Sequence, residues 1–218
     1  MPKAEAAART ARRIDPRSPV QAMAESILDT EVWLSLRCAD LVFGAVDGHA
    51  SRWALNALAV QYARPYIDTS AEITRSPGGP LDVSGHVATV TPAGPCLLRL
   101  SGYDPAAAST ELDSALTTAK RNAGYLRDDP GEPTPSVIFL NQAIAGVALG
   151  EALNLVAGWH RPRPYTLIDL SDPALTSIDA ERQPDCPACG PDSARAEGDA
   201  APPPHLTTPT PPPRPPHI

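Results

Sequence analysis

Asp47 and Gly48 stand where an apolar run ends and a helix-like segment begins. The run covers residues 41–46, the helix-like segment residues 49–63, and a second strand-like segment begins at Pro65. Strand–helix–strand units of this kind build parallel sheets, which bind ligands beyond the carboxyl ends of their strands. Asp47 therefore offers a carboxylate to a cation or a polar ligand, or it caps the helix that follows.

The rest of the chain also alternates between helical and extended patterns. Helices are predicted at 3–14, 30–38, 49–63, 109–122 and 136–158. Strands are predicted at 41–46, 66–73, 81–90, 165–170 and 175–180. Early strands separated by helices favour a parallel sheet, and the later run of strands favours an antiparallel extension, so the predicted class is α/β.

Composition divides the 218 residues into two parts. Residues 1–189 contain enough apolar side chains for one core. Residues 190–218 hold ten prolines and no aromatic residue, a composition that cannot offset the entropy of ordering. We therefore predict one domain at 1–189 and a disordered Pro-rich tail at 190–218.

The net charge of −7 excludes a basic nucleic-acid footprint, so no nucleic-acid partner is expected. The N-terminus shows no signal-peptide pattern, and a cytoplasmic location is expected. A disulfide framework among the four cysteines is accordingly disfavoured. His49 and His86 are interpreted as solvated or capping residues rather than bases.

The apolar stretch at residues 137–159 raises the question of a membrane span. Asn141, Gln142, Glu151 and Asn154 interrupt it, and a glutamate in mid-membrane costs about 2.5 kcal/mol or more. We therefore predict a helix buried in a protein core, and no membrane partner.

A nucleotide-binding α/β domain normally begins with a strand and a Gly-rich turn. Neither GxGxxG nor GxxxxGK[ST] occurs in this sequence, which begins directly with a helical pattern. The fold is therefore expected to be N-terminally truncated relative to such domains.

An ordered set of short motifs resembles the ThiF/MoeB/HesA-type adenylyltransferases, relatives of the ubiquitin-activating enzymes. Pro2-Lys3-Ala4 followed by Ile14-Asp15-Pro16 is similar to the family's "GxxKa…iNP" segment. Residues 40–56 resemble "DlV…atDn…R…lN", and residues 65–67 match the "kPli" that follows. Residues 94–96 and 186–189 resemble the two halves of the family's zinc site. The resemblance covers residues 2 to about 190 and implies a Rossmann-like, mostly parallel sheet with an antiparallel extension.

The resemblance also implies an activity. Such enzymes use ATP to adenylate the C-terminal carboxylate of a ubiquitin-like or sulfur-carrier protein, and the acyl-adenylate then passes to a sulfur or thiol acceptor. In this sequence Lys3 matches the lysine that contacts the ATP phosphates, and Asp47 matches the aspartate that holds Mg²⁺. An ammonium and a hard cation both stabilise charge that develops on phosphate. An exposed lysine and a helix cap are the alternatives for these two residues.

Gly48, Arg52 and Asn56 complete the matched segment. Gly48 replaces the usual asparagine, which opens the backbone but removes an amide. Arg52 and Asn56 are four residues apart and lie on one helix face. The resemblance implies that they support the nucleotide site, with Arg52 as a catalytic residue; a structural polar pair is the alternative.

The resemblance implies a zinc site at Cys96, Cys186 and Cys189. The family's CxxC…CxxC pattern supplies four thiolates, but here Arg99 stands where the fourth belongs, and a guanidinium cannot ligate zinc. Three thiolates with water, or a degenerate site without metal, are the two alternatives. Because no cysteine lies between Leu97 and Asp185, the chain is expected to form no covalent thioester of its own.

Two hypotheses follow from the resemblance. The first is an ATP- and Mg²⁺-dependent adenylyltransferase whose Gly-rich turn is supplied upstream or by a partner chain. The second is a non-catalytic homologue that binds a ubiquitin-like tail or pairs with a homologous subunit, since family members commonly form homodimers.

Overall fold

The computed structural model describes residues 1–75, 79, 81–113 and 138–204. The helices are α1 (Lys3–Ile14), α2 (Thr30–Leu36), α3 (His49–Gln61), α4 (Pro105–Leu112) and α5 (Ile138–Ala157), with a short 3₁₀ helix at Gly198–Ala200. The strands are β1 (Val42–Gly44), β2 (Tyr66–Arg75), β3 (Leu81–Val90), β4 (Tyr165–Asp169) and β5 (Ala174–Ile178). Each strand falls within about two residues of its predicted bounds, and β1 is the shortest of them.

The five strands form one mixed sheet in the order β1-β2-β3-β4-β5. β1 and β2 are parallel, whereas the pairs β2–β3, β3–β4 and β4–β5 are antiparallel. The α/β class and the antiparallel extension are confirmed. The parallel part of the described sheet is a single pair, smaller than the sequence predicted, because only residues 76–80 separate β2 from β3 and a parallel crossover needs about a dozen residues.

Alternate residues of the sheet face two separate cores, as the pleat of a strand requires. Tyr66 and Ala88 belong to the cluster that packs against α2 and α3. Their neighbours Ile67 and Val87 belong to the cluster that packs against α5. The sheet is thus covered on both faces at β2 and β3.

Within the described residues, α5 is the helix whose length and composition would suit a membrane span. One face packs against the sheet through Leu140, Ile144 and Ala148, as predicted for a core helix. The opposite face leaves Phe139, Leu149 and other apolar side chains exposed, so the helix is buried on one side only.

Residues 190–204, the first part of the predicted tail, lie against the domain. Gln61, at the end of α3, donates hydrogen bonds from Nε2 to the carbonyls of Gly198 (2.7 Å) and Ala201 (2.8 Å). Asp199 Oδ1 accepts from Tyr62 Oη (2.9 Å) and Arg37 Nη1 (3.0 Å). These polar contacts hold the segment in place, and amino-acid composition alone does not predict them. Residues 205–218 of the predicted tail lie outside the described residues.

Gly85 provides a test of the packing between α5 and the sheet. A Cβ at this position would collide with the backbone oxygen of Ser70 and with Cδ1 of Ile144. We expect Gly85→Ala to lower the free energy of unfolding by about 1–3 kcal/mol, measured by urea denaturation.

Gly146→Ala, within α5, is the matched control because a Cβ there meets nothing within 4 Å. This substitution should raise stability by up to about 1 kcal/mol, since alanine favours a helix over glycine. Equal effects of the two substitutions would contradict the packing described.

Candidate functional site

Asp47 lies in the loop that joins β1 to α3, at the carboxyl end of a parallel strand. Its side chain is exposed, and among the described residues no hydrogen bond or ion pair engages its carboxylate. The N-cap residue of α3 is Gly48, which makes no side-chain capping bond, so Asp47 is not the cap of this helix. Its carboxylate is therefore available to a cation.

The N-terminus of α3 is capped from another helix. Glu111, on α4, accepts hydrogen bonds from the backbone N–H groups of His49 (3.2 Å) and Ala50 (2.8 Å). A carboxylate at a helix N-terminus satisfies free amides and the helix dipole. These two amides are thus already occupied by Glu111, a contact between residues far apart in the sequence that no local motif indicates.

Arg52 holds three segments together. Its side chain, 12% exposed, donates from Nε to Val46 O (3.1 Å), from Nη1 to Gly102 O (3.1 Å) and from Nη2 to Thr69 O (3.4 Å). It therefore connects the loop after β1, strand β2 and the loop before α4. The observed contacts of Arg52 are those of a residue that positions the site.

Asn56 lies one turn further along α3 and is 1% exposed. Its Oδ1 accepts a hydrogen bond from the backbone N–H of Leu97 at 2.7 Å. The amide thus fixes the segment next to Cys96, which corresponds to the structural alternative considered for this residue.

Lys3 is exposed in the first turn of α1. None of the described contacts joins its side chain to Asp47, so its place beside phosphates stays a prediction.

A polar cavity of about 490 Å³ opens next to the first turns of α3. Its lining includes His49 and Arg52 from α3, His86 from β3 and Tyr165 from β4. His49 Nδ1 accepts from the backbone N–H of Asp104, a capping contact of the predicted kind. His86 differs from its interpretation as a solvated or capping residue, because its side chain is 15% exposed and its Nε2 lies 3.4 Å from Oδ2 of Asp68.

Asp68 is a buried carboxylate that the sequence analysis missed. It is 0% exposed, its Oδ1 accepts from Tyr66 Oη at 2.6 Å, and Arg52 Nε lies 3.8 Å away. Burial and the neighbouring Asp68 raise the pKa of Tyr66 far above its ordinary value, so the phenol keeps its proton and donates it. The sequence feature that could have identified Asp68 is a polar residue among the alternating positions of the strand predicted at 66–73.

Cys96, Cys186 and Cys189 come together as predicted. All three are buried, and their Sγ atoms lie within 4.8 Å of one another. The Cys96 and Cys186 sulfurs are 3.7 Å apart. Tetrahedral zinc with Zn–S bonds of about 2.3 Å holds its sulfurs about 3.8 Å apart, which the Cys96–Cys186 separation matches.

The environments of these thiols differ. Burial raises the pKa of Cys96 to about 12. Burial also opposes ionisation of Cys186, but hydrogen bonds from the backbone amides of Ala188 and Cys189 outweigh it and lower the pKa of that thiol. Amides that point at sulfur stabilise a thiolate, the form that ligates metal. Within the described residues the cluster contains three ligand residues.

Comparisons with known proteins agree with this architecture. A sequence model of the ThiF family matches residues 1–188. The solved structure of E. coli MccB is similar to this chain, with a TM-score of 0.57 and 16% identity over 88% of this chain and 51% of that chain. E. coli MccB solved with ATP gives a TM-score of 0.57 and 15% identity over 86% of this chain and 50% of that one.

The chain therefore spans about half the length of these solved structures. A search of curated proteins found no match.

Asn56→Ala tests the contact that links α3 to the cysteine segment. The substitution leaves the buried N–H of Leu97 without its acceptor, and we expect a loss of about 1–3 kcal/mol in the free energy of unfolding. Gln142→Ala on the exposed side of α5 is the control and should change stability by less than about 0.5 kcal/mol. A similar small effect at both positions, measured by urea denaturation, would contradict the assigned contact.

Proposed function

The chain belongs to the ThiF family, and on this premise we propose that it is an adenylyltransferase. It would use ATP to convert the C-terminal carboxylate of a peptide, a ubiquitin-like protein or a sulfur-carrier protein into an acyl-adenylate. The observation that carries the proposal is the free carboxylate of Asp47 at the carboxyl end of a parallel strand, within the segment that matches the family. E. coli MccB, a protein of similar fold, has itself been solved with ATP.

Asp47 is the proposed Mg²⁺ ligand. Its exposed and unengaged carboxylate suits a hard cation that keeps most of its waters and needs one or two protein oxygens. Magnesium bound there would neutralise charge on the ATP phosphates. Glu111 already binds the nearby backbone amides of α3. The carboxylate of Asp47 is therefore the group next to this end of the helix that is available to a ligand.

The other matched residues take supporting roles in the proposal. Lys3 supplies a cation to the phosphates, and Gly48 leaves the backbone next to Asp47 free of a side chain. Arg52 and Asn56 act through the segments that they hold, because their polar atoms already bind backbone groups. Both residues are therefore proposed to position the site.

The three-cysteine cluster is proposed to bind a structural zinc ion. The 3.7 Å between two of its sulfurs, the burial of all three and the amides aimed at Cys186 support this assignment. Arg99 stands at the fourth position of the family pattern, so water or an external ligand completes the coordination.

Pyrophosphate exchange tests the adenylyltransferase assignment. We expect the chain, assayed together with the segment or partner chain that supplies a Gly-rich turn, to exchange labelled pyrophosphate into ATP with a carboxyl-terminal peptide or ubiquitin-like protein as substrate. Asp47→Ala should lower the exchange rate about 100-fold or more, because a charge that stabilises the transition state is lost. Asp172→Ala, an exposed aspartate in the turn between β4 and β5, is the control and should retain the wild-type rate.

Exchange that is absent from the wild-type protein even with the Gly-rich turn supplied, or equal in the two aspartate variants, would contradict this assignment. Either result would favour a non-catalytic binding or dimerisation module instead.

Metal analysis tests the cysteine cluster. The purified chain should contain about one equivalent of zinc, and a chelator should lower its melting temperature, because bound metal stabilises the folded state. Cys189→Ser should lose the zinc, whereas Cys38→Ser should retain it because Cys38 is exposed and outside the cluster. Zinc content that does not depend on Cys189 would refute the site.

A further inference from the structure

Asp68 and His86 are brought together by the register of the sheet. Asp68 pairs with Ala88 across β2 and β3, and Ser70 pairs with His86. The two side chains are therefore diagonal neighbours on the face that packs against α3, within reach of each other. Oδ2 of Asp68 lies 3.4 Å from Nε2 of His86, and both atoms are buried and make no hydrogen bond among the described residues.

The imidazole of His86 also lines the polar cavity of about 490 Å³. This volume is in the range of small-molecule and cofactor sites, about 300–1,000 Å³. Tyr165 stacks on the imidazole with ring centroids 4.9 Å apart, which fixes the orientation of the ring. Because Nε2 is the buried nitrogen that faces Asp68, Nδ1 is the nitrogen left for a ligand in the cavity.

Asp68 also has partners other than His86. The negative charge of Asp68 lies next to the guanidinium of Arg52, whose Nε is 3.8 Å away. Asp68 also accepts a hydrogen bond from the hydroxyl of Tyr66. A carboxylate next to Nε2 favours the tautomer with hydrogen on Nε2, so that Nδ1 carries a lone pair and accepts a proton.

The cavity adjoins the segment that carries Asp47. His49 and Arg52, which line it, belong to the first turns of the helix that follows Asp47. A carboxylate that is activated near Asp47 would thus have its carbonyl carbon close to the mouth of this cavity.

We propose that His86, oriented by Asp68, is the base that accepts the proton of the nucleophile that attacks the acyl-adenylate. This inference rests on the proposed adenylyltransferase function. An amine or thiol from outside the chain forms a new bond to the carbonyl carbon. The bond from that carbon to the phosphate oxygen breaks, AMP leaves with the electron pair, and Nδ1 of His86 takes the proton released by the nucleophile.

The test separates adenylation from transfer in the full chain. Adenylation is followed by pyrophosphate exchange, and transfer by the formation of an amide between the activated peptide and glycinamide as the probe nucleophile. His86→Ala should slow transfer about 100-fold, as expected for a lost general base, and leave exchange within a few-fold of wild type. Imidazole added to the buffer should restore part of the transfer rate by entering the vacated space.

Three further variants complete the design. His86→Gln keeps a polar group next to Asp68 but cannot accept the proton, so it should also lose transfer while it remains folded. Asp68→Asn should slow transfer because it no longer holds the ring in its productive tautomer. His160→Gln is the matched control: its Nε2 lies 3.7 Å from Oε1 of the buried Glu151, outside the cavity, and transfer should not change.

The outcomes distinguish this inference from the function on which it rests. Equal losses of exchange and transfer in His86→Gln, or no rescue of His86→Ala by imidazole, would assign the pair a purely structural role and overturn the inference. Normal transfer in both His86 variants would overturn it as well. A wild-type chain without any exchange would instead refute the proposed function, and the inference would fall with it.

Discussion

The bridging contacts of Arg52 are the interaction on which the rest of the site depends. One guanidinium, mostly removed from water, binds the carbonyls of Val46, Gly102 and Thr69 and faces the carboxylate of Asp68. A buried charge is tolerated only when such partners surround it. Through these partners the loop with Asp47, the strand with Asp68 and the wall of the cavity keep a common geometry.

Helix α3 extends this organisation along its length. Its first turn follows Asp47 and is capped by Glu111, its middle holds the N–H of Leu97 through Asn56, and its last turn reaches the cysteine cluster and the 190–204 segment through Val60 and Gln61. The Asp47 end and the cysteine-cluster end of the domain are thus connected by one helix. We expect substitutions near either end of α3 to affect the contacts that the helix makes at its other end.

The sequence predicted the parts of this arrangement that depend on local pattern. Periodicity located β2, β3, α3 and α5 closely, because a strand or helix with a buried face repeats its apolar residues at a characteristic spacing. The position of Asp47 followed from the end of an apolar run. The three cysteines were identified through the family resemblance and lie together in the structure.

The remainder depends on pairing between distant segments. The Asp68–His86 pair follows from the register of β2 and β3, and the cap of α3 comes from Glu111 on α4. Residues 190–204 are held by hydrogen bonds to their backbone carbonyls, which composition cannot report. The sequence overestimated the parallel part of the sheet, although the short separation of β2 and β3 already favoured a hairpin.

The central claim is that the exposed carboxylate of Asp47 holds the metal of a bound nucleotide. Calorimetric titration of ATP into the full chain, with and without Mg²⁺, tests it most directly when wild type is compared with Asp47→Asn, which keeps the shape of the side chain and removes its charge. We predict saturable binding that requires Mg²⁺ and is weakened by the substitution. Binding that is absent, or that is indifferent both to Mg²⁺ and to residue 47, would contradict it.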